Sequence, residues 1–462
     1  MIDHGGFSVM NLMSLESLRI ELACGRTTSR ALLETCLERA LDPEGEGAQT
    51  FLHIDVRGAR LRADAIDAWR QKGQQMSPYA GLTVSVKDLF DVAGQVTAAG
   101  SQVLSSAPPA HEDACAVARL KAAGLIIIGR TNMSEFAYTG IGLNPHYGTP
   151  ANPFERALKR IPGGSSSGAA ISVTDGMAAA GLGTDTGGSC RIPAALTGIS
   201  GFKPSASRVN GRGVFGLSKS LDSVGVLAPE ASCCAIIDSI VAGKDIRLPA
   251  EINLRGVKFG VPRTLVLDGL DQHVAQTYSA VLKRLRDAGA ELREMALDEL
   301  AEVATINRRG AIVAVEAYAL HQEILRTCAD QYDPNVRARI ENGMLYSKAD
   351  YEDACNARRD WITRVQRRMQ DVDLLICPTV PIIAPTFSQV ADSRDFQHFN
   401  LLLLRNPMLA NFLDGCSVSI PCHESGTAPV GLMLIDRHGR DEPLLSVAQS
   451  VQRLLRSAKN RV

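Results

Sequence analysis

Three stretches of this sequence hold residues that could do chemistry together. They read GLTVSVKDLFDVAG at 81–94, RIPGGSSSGAA at 160–170 and GLGTDTGGSCRIPA at 181–194. Two Gly-Gly-Ser triplets, ending at Ser165 and Ser189, combine with a lysine, Lys87, that follows an alternating apolar run. A serine hydroxyl is a weak nucleophile until a base takes its proton as it attacks. No histidine lies in the three stretches, so lysine is left to serve as the base, and only a neutral amine accepts a proton. A free lysine titrates near ~10.4, so burial or nearby positive charge must lower that value. The glycines supply the other half of the chemistry. Thr186, Gly187, Gly188 and Ser189 can turn successive backbone N–H groups inward, because glycine tolerates the φ values this needs. Such N–H groups would hold the negative charge that develops on an attacked carbonyl oxygen.

Other readings compete for the same residues. Gly164 to Gly168 satisfies GxSxG, the nucleophile elbow of α/β-hydrolases, which would make Ser166 the nucleophile with His423 or His438 as base. That elbow needs a strand immediately before it, and ANPFERALKRIP at 151–162 offers two prolines and several charges instead. GGSSSG is not a phosphate cradle, since no GK[ST] follows. Asp185 and Arg191 flank Ser189 and read as a structural ion pair. Asp88 follows Lys87 and, by strand alternation, faces away from it.

The elements that must position these residues follow from periodicity. Leu82, Val84 and Val86 alternate with Thr83 and Ser85, which predicts a strand delivering Lys87 at its end. A helix over 113–123 closed by Gly124, then the apolar run Leu125 to Ile128, is the pattern of an α/β sheet. Ahead of it, Leu15, Leu18, Leu22 and then Leu32, Leu33, Cys36, Leu37 predict a helical hairpin broken at Gly25, with Thr28 or Ser29 capping the second helix. A further amphipathic helix is expected over about 57–71. Gly, Ser and Pro dominate 144–228, interrupted by short apolar runs, which suggests loops supported by a sheet. Beyond 245 charged amphipathic helices are expected at about 272–289, 298–329 and 349–370, then a strand near 374–383, VGLMLI at 430–435 and a last helix from about 441. The expected fold class is α/β: one domain over 1–462, a large mixed sheet with helices on both faces, and a helical cap or side layer over about 245–400.

Composition narrows the function classes. Lys and Arg number 49 against 50 Asp and Glu, so no net field draws the chain to nucleic acid or to an anionic membrane. Apolar runs are short, LLLL at 401–404 being stopped by Arg405, and the N-terminus opens with an acid and lacks a leader's apolar run. A cytoplasmic protein is expected. Eleven cysteines, an odd number mostly in apolar surroundings, read as buried thiols, and the nine histidines show no ligand spacing, so no metal or cofactor is expected.

The three stretches together strongly resemble the amidase signature family. The likeness extends to GRTNMSEFA at 129–137, GFKPS at 201–205, SLDSVG at 220–225 and PVGLML at 429–434, and is densest over 81–228. The resemblance implies a Ser–cis-Ser–Lys triad of Ser189 as nucleophile, Ser165 as proton relay and Lys87 as base, with a cis peptide at Gly164–Ser165. It implies an oxyanion hole of Thr186, Gly187 and Gly188, and hydrolysis of a small carboxylic amide, carbamate or urea-type C–N bond through a Ser189 acyl-enzyme. Phe136 and Tyr138, just after TNMSE, are candidate pocket residues, and a homodimer is compatible with this reading. The alternative is the glutaminase subunit of a tRNA-dependent amidotransferase. Those subunits usually carry a segment resembling SNLxRxDG, whereas 307–322 here reads NRRGAIVAVEAYALHQ. Cys190 departs from the family, which usually has an aliphatic residue there, and Val226 and Pro229 depart from SLDxxGPxxR in what reads as a loop end.

Overall fold

The alternation around Lys87 is a strand, β2 (Thr83–Lys87), in a computed structural model that describes residues 12–457. The extreme N-terminus, on which the reading of a missing leader rests in part, lies outside the described residues. Ten further strands complete one sheet: β1 (Phe51–Ile54), β3 (Ile126–Thr131), β4 (Ala180–Asp185), β5 (Ser200–Lys203), β6 (Ser223–Ala228), β7 (Lys258–Pro262), β8 (Glu291–Met295), β9 (Leu374–Pro378), β10 (Cys416–Pro421) and β11 (Gly431–Asp436). Their spatial order is β1-β3-β2-β4-β6-β5-β10-β11-β9-β7-β8. β2 runs parallel to both β3 and β4, and β7 runs parallel to β8 and β9, while the middle of the sheet from β4 to β9 is antiparallel throughout. The sheet is therefore mixed, as expected.

Period-2 alternation assigns the two faces. Val84 and Val86 enter a large apolar core with Val224 and Val226, which also contains residues of the helix Ala231–Ala242. Ser85 and Lys87 face the other way, where the Ser85 hydroxyl meets Ser172 at 2.7 Å. On that side lie the helices Ser167–Thr174 and Arg191–Thr197, every residue of which is buried. A helix apolar or small on all sides belongs inside a protein, and small residues such as Gly168, Ala169 and Ala170 let it approach the sheet closely. A Cβ on Gly168 would meet the Thr50 carbonyl at 2.5 Å.

The N-terminal hairpin forms as expected, in helices Leu15–Ala23 and Ser29–Ala40, with Ser14 and Thr28 capping and Gly25 turning at φ 65°. Three expectations need amending. The segment 245–400 is not only a helical layer, because besides β9, where a strand was expected, it contributes β7 and β8 to the sheet. These strands are five residues each, and ELREM of β8 sits at the sheet edge with its charged side chains largely exposed, so no apolar run announces it. The helix expected over 298–329 is two helices, Glu299–Gly310 and Ile312–Cys328, joined at Ala311 in left-handed backbone (φ 36°, ψ 57°). Gly310, the last residue of the first helix, is pressed against the crossing helix Lys348–Arg368, where a Cβ would lie 2.2 Å from the Asp350 carbonyl. Val226 lies inside β6 and not at a loop end; its side chain is buried in the core.

Candidate active site

β2 and β4 are adjacent and parallel, so their carboxyl ends open on the same edge of the sheet, where ligand crevices of α/β folds form. Lys87 is the last residue of β2. Its side chain is fully buried, with Nζ 2.7 Å from Ser165 Oγ and 3.1 Å from Thr184 Oγ1 of β4. Among the described residues no carboxylate pairs with it. Burial accordingly lowers its pKa to about 8, against smaller opposing effects from Cys190, Asp185 and Asp222.

The backbone around Ser165 is fixed at several points. The Gly164–Ser165 peptide is cis, the Ser134 N–H donates to the Ser165 carbonyl at 3.1 Å, and the Ser166 N–H donates to the Ser189 carbonyl at 3.2 Å. This last bond ties the Ser165 segment directly to Ser189. Ser189 itself lines a cavity of about 250 Å³, together with Thr186, Gly187 and Tyr138. Lys87, Ser165 and Ser189, from three separate stretches of sequence, thus meet at one edge of the sheet. Ser166 is instead a buried helix-flanking residue outside that cavity, with its hydroxyl toward the Thr184 carbonyl. No strand precedes it, and His438 is a surface residue near Ser207 and Asp414. His423 sits beside Gly198 and likewise does not line the cavity.

The loop after β4 is shaped by Asp185, a fully buried carboxylate. Oδ1 accepts from the Gly188 N–H at 2.8 Å and Oδ2 from the Cys190 N–H at 3.1 Å, while Arg191 bonds both oxygens, at 2.8 and 3.0 Å. Burial alone would raise Asp185; the Arg191 guanidinium and Asn411 outweigh it and hold the carboxyl well below the usual range. The ion pair read from sequence is therefore present, and it has a consequence for the anion site. The Gly188 N–H already donates to a buried carboxylate, so Gly188 is not a free oxyanion donor as expected. The N–H groups of Thr186, Gly187 and Ser189 have no such acceptor among the described residues. Thr186 is secured from the far side, its hydroxyl donating to Asp222, which also accepts from the N–H groups of Leu217 and Ser218.

Tyr138 lines the cavity, but Phe136 does not. Phe136 is 2 % exposed and packs among Phe215, His321 and Tyr332, with ring centroids 5.4, 4.4 and 5.2 Å away. Aromatic partners surround it, so it is a core residue and not a pocket wall. Asp88 turns away from Lys87 and pairs with Arg130 at 2.7 Å. Cys190 is buried behind the loop, where its Sγ fills space that a Cβ on Gly225 would need, and burial pushes its thiol well up. Sequence reasoning missed Arg339, which also lines the cavity. It lies in VRARIE of the helix Pro334–Glu341, where an arginine reads as a solvated helix face and carries no signal of its position. Among the described residues no three His, Cys, Asp or Glu side chains gather as a metal site would require, and no helix is long and apolar enough to cross a membrane.

A mixed sheet with a lysine, a cis-linked serine and a second serine converging at its edge defines an amidase-signature fold. The family model described as Amidase matches residues 31–445, and the chain belongs to that family. It is 33% identical over 451 residues to 2-amino-5-chloromuconic acid deaminase of Comamonas testosteroni, covering 96% of each chain. It is 34% identical over 495 residues to a glutamyl-tRNA(Gln) amidotransferase subunit of Roseiflexus sp. (strain RS-1), covering 97% of each. A crystal structure of an amidase superposes with a TM-score of 0.86 at 32% identity, over 96% of this chain and 99% of that one. The protein is an amidohydrolase acting on C–N bonds.

Proposed function

We propose that the protein hydrolyses a small carboxylic amide, or a carbamate or urea-type analogue, through an acyl-enzyme on Ser189. The observation that carries this reading is the 2.7 Å contact between Lys87 Nζ and Ser165 Oγ, buried beside the segment that bonds to Ser189. Ser189 Oγ attacks the carbonyl carbon and passes its proton to Ser165 Oγ, whose own proton moves to neutral Lys87 Nζ. The carbonyl oxygen takes up the electron pair and is held by the N–H groups of Thr186, Gly187 and Ser189. Collapse of that intermediate breaks the C–N bond, and the proton returns through Ser165 to the leaving amine. Water then repeats the sequence on the Ser189 ester and releases the acid. This requires no cofactor, and it suits a cytoplasmic enzyme whether monomer or homodimer.

Two relatives bear on the substrate. The deaminase has a nitrogen-bearing organic acid in its name, which keeps small acids within range, and the amidotransferase relative keeps glutamine in view. The lack of an SNLxRxDG-like segment in 307–322 favours an independent hydrolase over the glutaminase subunit. The test is a fluorophosphonate probe followed by peptide mapping, with variants of each triad residue. Label is expected on Ser189, with Lys87→Ala, Ser165→Ala and Ser189→Ala each losing about a thousandfold or more in kcat, non-additively. Label on Ser166, or wild-type rates in Ser165→Ala, would overturn the assignment. Purified alone, the protein should release ammonia from simple amides faster than from glutamine; glutamine as the preferred substrate would support the glutaminase reading.

A further inference from the structure

Arg339 is a charged residue of the cavity that enters no ion pair among the described residues. Among the described residues that line the cavity, it is the one Asp, Glu, Lys or Arg. Its Nε is buried without an acceptor among the described residues, and burial lowers its pKa. Its neighbour Arg337 on the same helix pairs with Glu341 at 2.7 Å, so the helix does provide for its exposed cation. What Arg339 has is the Tyr138 ring, 4.6 Å from the guanidinium carbon. Stacking on a ring attracts the cation but satisfies none of its five N–H donors, which lie in the guanidinium plane. A half-buried cation without its anion forgoes part of its hydration with nothing in exchange.

The placement of Arg339 is also fixed in advance. Val336 and Ile340 anchor its helix in the core, and the Asp333 N–H at the helix start donates to buried Glu135 at 2.7 Å. Glu135 in turn accepts from Ser101 at 2.6 Å and meets His146 at 2.8 Å. The guanidinium is thus presented to the same cavity as Ser189, in the planar geometry that matches a carboxylate with two parallel hydrogen bonds.

We propose that Arg339 receives a carboxylate of the substrate, so that the scissile amide belongs to a small organic acid that carries no ammonium group. The proposal rests on Ser189 being the nucleophile, since it places the anion and the amide in one cavity. The absence of any acid among the described lining residues gives the second half: an α-ammonium, as in glutamine, would enter without a partner. The cavity's volume of about 250 Å³ restricts the occupant to something below drug size, which suits a dicarboxylic acid half-amide.

The experiment compares the half-amides of succinic, glutaric and adipic acid with neutral primary amides of equal chain length, and with glutamine, by ammonia release from the full-length protein. The best half-amide should exceed its neutral counterpart by about a hundredfold in kcat/KM, mostly through KM, and should exceed glutamine. Arg339→Met should bring that ratio to within about threefold of one, and Arg339→Lys should restore part of it. A parallel arm measures the shift in melting temperature of Ser189→Ala protein by succinate, glutarate and adipate, with and without Arg339→Met. A stabilising shift that needs Arg339 supports the proposal, and Arg339→Lys in the Ser189→Ala background supplies the comparison if Arg339→Met fails to fold. Equal rates for half-amides and neutral amides, or no shift by any diacid, would overturn it and leave the reaction standing. No cleavage of any amide, with the probe failing to label Ser189, would sink the reaction reading, while the melting shift would still decide what Arg339 binds.

Discussion

At the residue scale the chemistry turns on a lysine kept away from carboxylates. Lys87 loses its hydration on burial and gains only serine and threonine hydroxyls in exchange, which is why its pKa falls to about 8. A base works only in its neutral form, so kcat should fall as the pH drops through about 8 and level off above it. Lys203 is also lowered to about 8, by burial and then by Arg191, but its Nζ donates to the carbonyls of Pro204 and Gly415 and lies in GFKPS, away from the cavity. Both folded values lie below the ordinary lysine value of about 10.4, so the folded state binds fewer protons than the unfolded between about 8 and 10.4. Stability should therefore rise with pH across that window, in the same direction as for a carboxylate with a depressed pKa but at alkaline instead of acid pH. A rate profile and a melting profile measured in the same buffers separate the two effects. A rate that climbs steadily toward acid pH in folded protein would contradict the role of Lys87.

At the scale of elements, the loop between β4 and the helix Arg191–Thr197 is what turns a strand end into an anion site. Asp185 organises it by accepting two backbone N–H groups of the loop, while Arg191 reaches on to the Pro407 carbonyl and Asn411. Gly188 adopts φ 128°, and a Cβ there would lie 2.6 Å from Pro407, so the turn is specific to glycine and pressed against the next element. Removing the carboxylate strands a buried guanidinium. Asp185→Ala should accordingly lower stability by about 3–5 kcal/mol in urea unfolding and lose activity. Asp185→Asn, which keeps acceptor capacity, should cost less. A full-stability Asp185→Ala protein would show that the pair is not what holds the loop.

At the scale of the molecule, the sheet joins segments far apart in the chain. β5 pairs with β10 through Gly201–Ser419 and Phe202–Val418, and the end formed by β9, β7 and β8 comes from the same 245–400 segment that supplies helices over the cavity. We expect the chain to unfold as one cooperative unit, with calorimetric and van't Hoff enthalpies in agreement. A fragment ending at residue 245 would expose β5 as an unpaired edge and uncover Phe202 and Val226, and it should aggregate. A soluble, folded fragment, or two separate transitions in the full chain, would instead divide the molecule into domains.

How much of this was legible in the sequence depends on range. Alternation placed Lys87 at a strand end on the face opposite Val84 and Val86, and the caps at Ser14 and Thr28 began their helices, because period and capping are set by residues within a few positions. The family likeness located Ser165 and Ser189, including the cis peptide between Gly164 and Ser165. The sequence could not tell that Gly188's N–H belongs to Asp185, that Phe136 packs in the core among Phe215, His321 and Tyr332, or that ELREM is an edge strand. Nor could it distinguish Arg337, paired with Glu341, from Arg339 two residues on, which stacks on Tyr138 with no acid partner among the described residues. Whether a donor is free or a charge is paired depends on what the fold brings up from elsewhere in the chain, and only the tertiary structure decides that.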